Sequence, residues 1–367
     1  MVNDKLKLIV LENFETQGEI INKHLKRIRK SKDDYRIPLS QVRFANGEGK
    51  AILEDSVRAK DVFILTDIGN YAVSYDFYGH KTFMTPDEHF QDLKRVISAI
   101  RGNAQRISVI EPLLYASRQH ARNGRESLDC AIALQELQSL NVNNIVTFDV
   151  HDPNVQNAIP LLPFDNFMPT NTILKEFIEQ EDINFNNLLV ISPDEGAMKR
   201  SRYYAAMLGC DIGMFYKLRD FSVLENGKNP IKEHKYLGRE VKGMDLLIVD
   251  DMIASGGSII DILDQLKDKE VHSIYVITTF AFFTEGYQKF DKEFDEGVLK
   301  RVYSTNLSYI PLELKNKPWF SCVDCSDFLA DVIDAYNKEK SISPLFNGRV
   351  EMFTAIENLK KDKAEKI

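Results

Sequence analysis

The stretch 247-LIVDDMIASGGSII-260 decides the fold and frames the function. An apolar run ends in Asp250 and Asp251, and a Ser-Gly-Gly-Ser turn leads into a second apolar pattern. The run 245-DLLIVDD-251 is short, rich in branched residues and closed by polar ones, which predicts a buried strand ending at Asp251. Beyond it Ile259, Leu263 and Leu266 fall on one helical face, predicting a helix that starts near Ser258. Gly256 and Gly257 let the backbone turn tightly and come close to a ligand. The N–H groups of a helix start, with the hydroxyls of Ser255 and Ser258, form an anion site. Asp250 and Asp251 supply acceptors only, which suit sugar hydroxyls or a hydrated Mg²⁺ and repel a bare phosphate. A sugar phosphate satisfies both halves. An ordinary strand–turn–helix with a Ser N-cap is the alternative that the stretch alone leaves open.

Similar apolar runs recur outward from this one: 5-KLKLIVL-11, 61-DVFILT-66, 106-RISVIEP-112, 144-NIVTFDV-150, 188-LLVISPD-194, 212-IGMFYK-217 and 273-SIYVITTF-280. Helical patterns such as 126-ESLDCAIALQELQSL-140 lie between many of them, and strands alternating with helices predict a parallel α/β architecture. The stretch 160-PLLPFDNFMPTN-171, with three prolines, is the best boundary. It divides the chain into expected domains at 1–165 and 166–346. The tail 347–367 reads as a short amphipathic helix followed by a solvated charged run. Ionisable residues collect at the strand ends: Glu111, Asp149 with His151, Asp194, Lys217 with Arg219, and Asp250 with Asp251. In open α/β sheets the ligand crevice lies at those carboxyl ends.

Composition narrows the field. A chain of 367 residues predicts two domains. Its 44% hydrophobic and 28% charged content is that of a globular protein able to bury a core. The net charge of −8 weighs against a general nucleic-acid binder. No apolar stretch approaches the roughly eighteen residues of a membrane span. The opening MVNDKLKLIVLENFE lacks the length and the small-residue cleavage site of a signal peptide. Four cysteines in a chain of this size point to a reducing compartment, the cytoplasm. Cys322 and Cys325 form a single C-x-x-C with no nearby His and read as small, semi-buried residues. Neither G-x-x-x-x-G-K-[ST] nor a strand-following G-x-G-x-x-G is present.

The loop at Asp250 resembles the phosphoribosyl pyrophosphate loop of type I phosphoribosyltransferases and ribose-phosphate pyrophosphokinases. Further segments resemble the pyrophosphokinases alone: 43-RFANGEGK-50, 118-RQ-119 with 125-RES-127, 148-FDVHD-152, 191-ISPDEGAMKR-200, 217-KLR-219 and 341-SISPLF-346. They keep chain order over most of the sequence. The resemblance implies two tandem phosphoribosyltransferase-like domains, each a mainly parallel sheet flanked by helices. It implies transfer of the β,γ-diphosphate of ATP to the anomeric hydroxyl of ribose 5-phosphate, with Mg²⁺. Phe44 would stack on adenine while Asn46 and Glu48 read its polar edge. Arg118 and Gln119 would hold the ATP phosphates. His151 and Asp194 would ligate or orient Mg²⁺, and Lys217 and Arg219 would act on the transferred phosphoryl as catalytic residues. Asp250 and Asp251 would bind the ribose hydroxyls, with Ser255, Gly256, Gly257 and Ser258 around the 5-phosphate. Partners implied are the two substrates and further copies of the chain, in hexamers built from dimers, with no membrane or nucleic acid.

The segment 220–243 reads as a lid over the substrate, or else as a surface β-hairpin. The sequence departs from the family pattern at Ala254, where a third Asp is usual, and at His120, where Asp usually follows Arg-Gln. The stretch 67-DIGNYAVSYDFYGHKTFMTPDEHF-90 is longer and more aromatic than its counterpart and reads as an interface or a lid. Two other functions stay open at this point: a phosphoribosyltransferase, and a non-catalytic regulatory relative.

Overall fold

Runs of branched apolar residues assemble into two parallel sheets, one in each of two units. The structure, a computed structural model, describes residues 5–122, 124–219, 231–346 and 349–364. The first unit takes in the described residues up to Pro169 together with Asn306–Tyr309 and Asp324–Phe346. The second takes in Thr170–Thr305, Ile310–Val323 and the C-terminal helix.

The first unit contains β1 (Leu6–Val10), β2 (Leu39–Arg43), β3 (Gly49–Leu53), β4 (Asp61–Leu65), β5 (Ser74–Phe77), β6 (His80–Phe83), β7 (Arg106–Ile110), β8 (Asn144–Phe148) and β9 (Phe164–Phe167). Its sheet has the order β1-β4-β7-β8-β9 with every pair parallel. Every residue of β4 and β8 is buried, as expected when helices cover both faces of a sheet. Two antiparallel hairpins, β2–β3 and β5–β6, leave this frame. Their short, half-exposed strands carry no long apolar run, so periodicity did not announce them. β9 lies inside the three-proline stretch, whose prolines flank it without interrupting its ladder. The helix expected at 126–140 spans Asp129–Ser139. Helix Pro86–Ile100 opens with Pro86 after a Thr85 N-cap, and Thr85 and Glu88 complete a capping box.

Residues 324–346, placed with the second half by the sequence, cluster with the first unit. The helix Ser326–Asn337 explains this. It buries Leu329, Ala330, Val332 and Ile333, and it meets helix Glu15–Arg29 through His24 to Asp327 (2.5 Å) and Arg29 to Asp334 (2.7 Å).

The second unit contains β10 (Leu188–Ser192), β11 (Asp211–Arg219), β12 (Ile231–Leu237), β13 (Asp245–Ile253), β14 (Ser273–Ala281), β15 (Arg301–Thr305) and β16 (Phe320–Val323). The order is β12-β11-β10-β13-β14-β15-β16, and only β11–β12 is antiparallel. From β10 the chain first moves to one side and then returns to lay β13 on the other. That reversal is a topological switch point, with β10 and β13 as its two walls.

Three expectations change here. β13 runs to Ile253, two residues past Asp251, because Met252 and Ile253 pair with Phe280 and Ala281 of β14. The following helix is Gly257–Leu266, and its N-cap is Gly256 instead of a serine. Of the segment 220–243, residues 220–230 lie outside the described residues, while Ile231–Leu237 is β12 and favours the hairpin reading for that part. Tyr236 anchors it by packing on Phe215 and donating its hydroxyl to the Arg239 carbonyl (2.9 Å). The tail helix Arg349–Ala364 runs on into the expected charged run, and its Met352 and Ile356 join the core formed by Leu174, Phe177, Tyr204 and Leu208. No helix among the described residues is long and apolar enough to cross a membrane.

Candidate active site

In the second unit the carboxylates stand at the switch point. Asp250 and Asp251 are near the carboxyl end of β13, and Asp194 follows the end of β10, the adjacent strand. Asp194 Oδ1 accepts from the Ala197 N–H at 3.1 Å, which fixes the turn leading into helix Met198–Leu208. Asp251 is only 3% exposed, whereas Asp250 is partly open. The Asp251 N–H donates to Asp250 Oδ1 at 2.9 Å. Burial, followed by the neighbouring Asp251 charge, pushes the Asp250 carboxyl well above its ordinary range. Arg200 opposes that shift from 4.0 Å. Two carboxylates this close disfavour double ionisation, and a ligand bringing hydroxyl donors or a cation relieves the pair. Arg200 has no role in the sequence reading, although it ends the quoted 191-ISPDEGAMKR-200. Only its position on the first turn of a helix beside β13 exposes the pairing.

The Gly/Ser turn follows at once. Gly256 adopts φ +87°, and a Cβ there would lie 2.5 Å from Phe290 Cε2, so conformation and packing both require glycine. Ser255 Oγ accepts weakly from the Gly257 N–H at 3.4 Å. Helix Gly257–Leu266 is anchored below by buried Ile259, Ile262, Leu263 and Leu266, which leaves its first turn beside the carboxylates. Ser258 lies in that first turn, partly buried. The Ala254 carbonyl accepts from Thr284 N–H at 2.8 Å, so the residue that replaces the usual third acid is held by its backbone. Lys217 and Arg219 end β11, and their side chains lie outside the described residues.

In the first unit the base-site candidates form the tip of the β2–β3 hairpin. Phe44 is 49% exposed, which makes it a free ring and not a core aromatic. Its N–H donates to the Glu48 carbonyl, and Gly47 N–H returns to the Phe44 carbonyl, both at 2.8 Å. Asn46 Nδ2 donates to Glu48 Oε2 at 2.9 Å, so the two polar residues are already oriented together. Arg118 is exposed, while Gln119 Nε2 donates to the Ser127 carbonyl at 2.9 Å and thereby closes its own loop. His151 is exposed after β8, with the His120 ring 5.3 Å away by centroid. His120 Nε2 also lies 3.6 Å from Asp152 Oδ2. The departure at His120 therefore places an imidazole between Asp152 and His151. Among the described residues no three His, Cys, Asp or Glu side chains converge as a metal cage.

Glu111 does not belong to an open crevice. It is fully buried, Oε1 accepts from Tyr115 N–H at 2.5 Å, and Oε2 has no partner. Burial pushes its carboxyl up to about 8. Asp67 is also buried, and despite accepting from Ser308, Tyr309 and Gly69 it is pushed up to about 7. Both groups keep a proton in the folded state that the unfolded chain releases near the usual carboxyl range. Their contribution to stability is fully present below that range and is lost as pH rises through about 7 to 8. Thermal unfolding at pH 5 to 9 is expected to show a Tm that declines with pH. Glu111→Gln should flatten the decline by on the order of 1.4 kcal/mol per pH unit below the Glu111 titration. A slope unchanged by the substitution would show that Glu111 does not carry the effect.

Comparison with known proteins agrees with this architecture. Residues 167–316 match the phosphoribosyl transferase domain, and residues 7–140 match the N-terminal domain of ribose phosphate pyrophosphokinase. The crystal structure of phosphoribosylpyrophosphate synthetase from Mycobacterium smegmatis superposes with a TM-score of 0.73, covering 91% of this chain and 99% of that one at 21% identity. The class is thus an α/β protein of two phosphoribosyltransferase-type domains. A ribose-phosphate pyrophosphokinase of Mycoplasma pneumoniae is 28% identical over 311 residues, spanning 84% of this chain and 87% of that protein. One of Vibrio cholerae is 27% identical over 309 residues, spanning 83% and 90%. The chain belongs to the ribose-phosphate pyrophosphokinase family and is an enzyme of that kind.

Proposed function

We propose that the enzyme transfers the β,γ-diphosphate of ATP to the C1 hydroxyl of ribose 5-phosphate, releasing AMP and phosphoribosyl pyrophosphate. The C1 oxygen attacks the β-phosphorus, the bond from that phosphorus to the α–β bridging oxygen breaks, and AMP leaves with that oxygen. The observation that carries this reading is the sequence of groups along one strand–turn–helix. Two carboxylates, Asp250 and Asp251, precede a glycine turn and a helix N-terminus. A ribose phosphate presents hydroxyls to the first and a dianion to the second.

The roles divide by unit. In the second, Asp250 and Asp251 accept from the ribose hydroxyls. Ser255, Gly256, Gly257 and Ser258 hold the 5-phosphate through hydroxyls and backbone N–H groups. Arg200, 4.0 Å from Asp250, offsets part of the negative charge of the carboxylate pair. In the first, Phe44 offers its exposed ring to adenine, Asn46 and Glu48 read the base edge, and Arg118 with Gln119 serves the phosphates. Gln119 acts chiefly by shaping the loop that presents Arg118. Lys217 and Arg219 neutralise charge developing on the transferred phosphoryl, which is the main work a protein does in such transfers. Asp194 in the second unit and His151 in the first would each hold Mg²⁺ or its waters, and the metal would supply charge neutralisation on the phosphates. The four free cysteines fit a reducing, cytoplasmic setting. A dimer-based homo-oligomer completes the proposal.

The test is an assay of purified protein with ATP, Mg²⁺ and ribose 5-phosphate. AMP and phosphoribosyl pyrophosphate are expected in equal amounts. Absence of AMP across metal and phosphate concentrations overturns the reading and leaves a non-catalytic relative. Release of pyrophosphate from phosphoribosyl pyrophosphate and a free base, in place of AMP formation, would identify a phosphoribosyltransferase.

A further inference from the structure

The hairpin β5–β6 lies within 67–90, the aromatic stretch that the sequence marks as an interface or a lid, and it packs against the loop that carries Phe44. In β5 alternate side chains share a face, so Tyr75 and Phe77 point the same way. Phe77 lies directly on Gly47: a Cβ at Gly47 would come within 3.0 Å of Phe77 Cε2 and 3.3 Å of Cδ2. Gly47 also has φ +88°, so the turn between Asn46 and Glu48 is shaped by its backbone and backed by that ring.

Tyr75 holds the other end of the same loop. The Arg43 guanidinium sits 5.2 Å from its ring centroid, and Arg43 immediately precedes Phe44. The Tyr75 hydroxyl donates to Glu88 Oε1 at 2.6 Å, and Arg43 Nη2 donates to Asp92 Oδ2 at 2.6 Å. Glu88 and Asp92 both belong to helix Pro86–Ile100, where Glu88 completes the capping box. A rigid helix therefore fixes Tyr75 and Arg43, and through them both sides of the Phe44–Glu48 loop.

The hairpin tip supports the same reading. Tyr78 and Gly79 take φ +48° and φ +76°, the two left-handed positions of a tight hairpin turn. Asn or Gly is the usual choice where Tyr78 stands, since a bulky side chain is disfavoured there. Tyr78 is nonetheless present, 76% exposed, with its ring packed edge-on to Phe77 at 4.6 Å. Tyr75, Phe77 and Tyr78 thus form a continuous aromatic row behind the loop.

We propose that the β5–β6 hairpin is part of the nucleotide-base site, with Tyr75 and Phe77 as positioning residues that hold Phe44, Asn46 and Glu48 as a preformed seat for the purine of the diphosphoryl donor. This rests on the reading of Phe44–Glu48 as the base loop. A loop already fixed in its bound form loses little freedom when the base arrives, so affinity for the base is gained without a direct contact from Phe77.

Direct binding by the full chain tests it, with Mg–ATP and Mg–tripolyphosphate as probes; the second carries the phosphates without a base. Phe77→Ala is expected to weaken ATP by roughly tenfold and to leave tripolyphosphate unchanged, with Phe77→Leu recovering most of the loss. Phe44→Ala should also weaken ATP, and Phe44→Ala/Phe77→Ala should be little worse than Phe44→Ala alone, since both act through one loop. Equal losses for the two probes, or unchanged ATP binding in Phe77→Ala, overturn the inference. If Phe44→Ala weakens ATP while Phe77→Ala does not, the hairpin inference alone fails. If wild type binds ATP no better than tripolyphosphate, or Phe44→Ala changes nothing, the base-loop reading fails and takes the inference with it. Should Phe77→Ala lose its thermal transition, Phe77→Leu and Tyr75→Phe carry the comparison, each expected to cost about two- to threefold for ATP only.

Discussion

Lys217→Ala is expected to lower kcat by about 10³-fold or more while ATP and ribose 5-phosphate still bind. The reaction places new negative charge on the transferred phosphoryl, and a cation aimed there acts mainly in the transition state. Removing it should therefore lower kcat much more than it raises either KM. Lys217 is near the end of β11, the neighbour of β10 in the sheet. Its backbone pairs with His234 of β12, and Arg219 pairs with Ile231, with the register shifting between Leu218 and Arg219. Simple alternation would put two cations spaced by one residue on the same side of the strand. Steady-state kinetics with separate binding measurements for each substrate check this. A kcat unchanged in Lys217→Ala would remove that residue from the mechanism.

Gly256→Ala is expected to raise KM for ribose 5-phosphate by about tenfold or more and to lower thermal stability by roughly 2 kcal/mol, or about 4–8 °C in Tm. Two independent reasons act at this residue. Its φ of +87° lies where L side chains rarely sit, and an added methyl would meet the Phe290 ring at 2.5 Å. Phe290 is buried against Phe283 and Trp319 and cannot swing away freely. The turn must therefore shift, and with it the N–H groups and hydroxyls proposed for the phosphate. Gly257→Ala is the natural contrast, because a Cβ there meets only Ser255 Oγ at 3.7 Å. Its thermal stability should stay near wild type. Equal melting losses in both variants would mean that the Phe290 contact and the left-handed conformation are not what makes Gly256 necessary.

Much of this architecture was legible in the chain. The strands at 61–65, 144–148, 188–192 and 245–253 are each built on an apolar run, the last of them Leu246–Val249, because both faces of a parallel sheet are covered. Ile259, Leu263 and Leu266 announced a helix because its inward stripe must be apolar. The hairpins β2–β3 and β5–β6 were not legible, since half-exposed strands of four or five residues leave too few periods to detect. The charge of Glu111 suggested a ligand crevice, and its complete burial could not be read from residue type.

By itself the sequence determined which chemical groups follow one another along the chain: two aspartates and then a glycine-serine turn at 250–258, an aspartate after the apolar run at 188–192, and the Phe-Ala-Asn-Gly-Glu run at 44–48. Local order does this because strand ends, turns and helix starts are built from neighbouring residues. Tertiary structure alone decided what those groups touch. It set Arg200 near Asp250, His120 between Asp152 and His151, and Phe290 over Gly256. It also laid Phe77 on Gly47. Such pairs are made by packing between segments distant in the chain, and packing depends on shape and burial that no local pattern of residue types encodes.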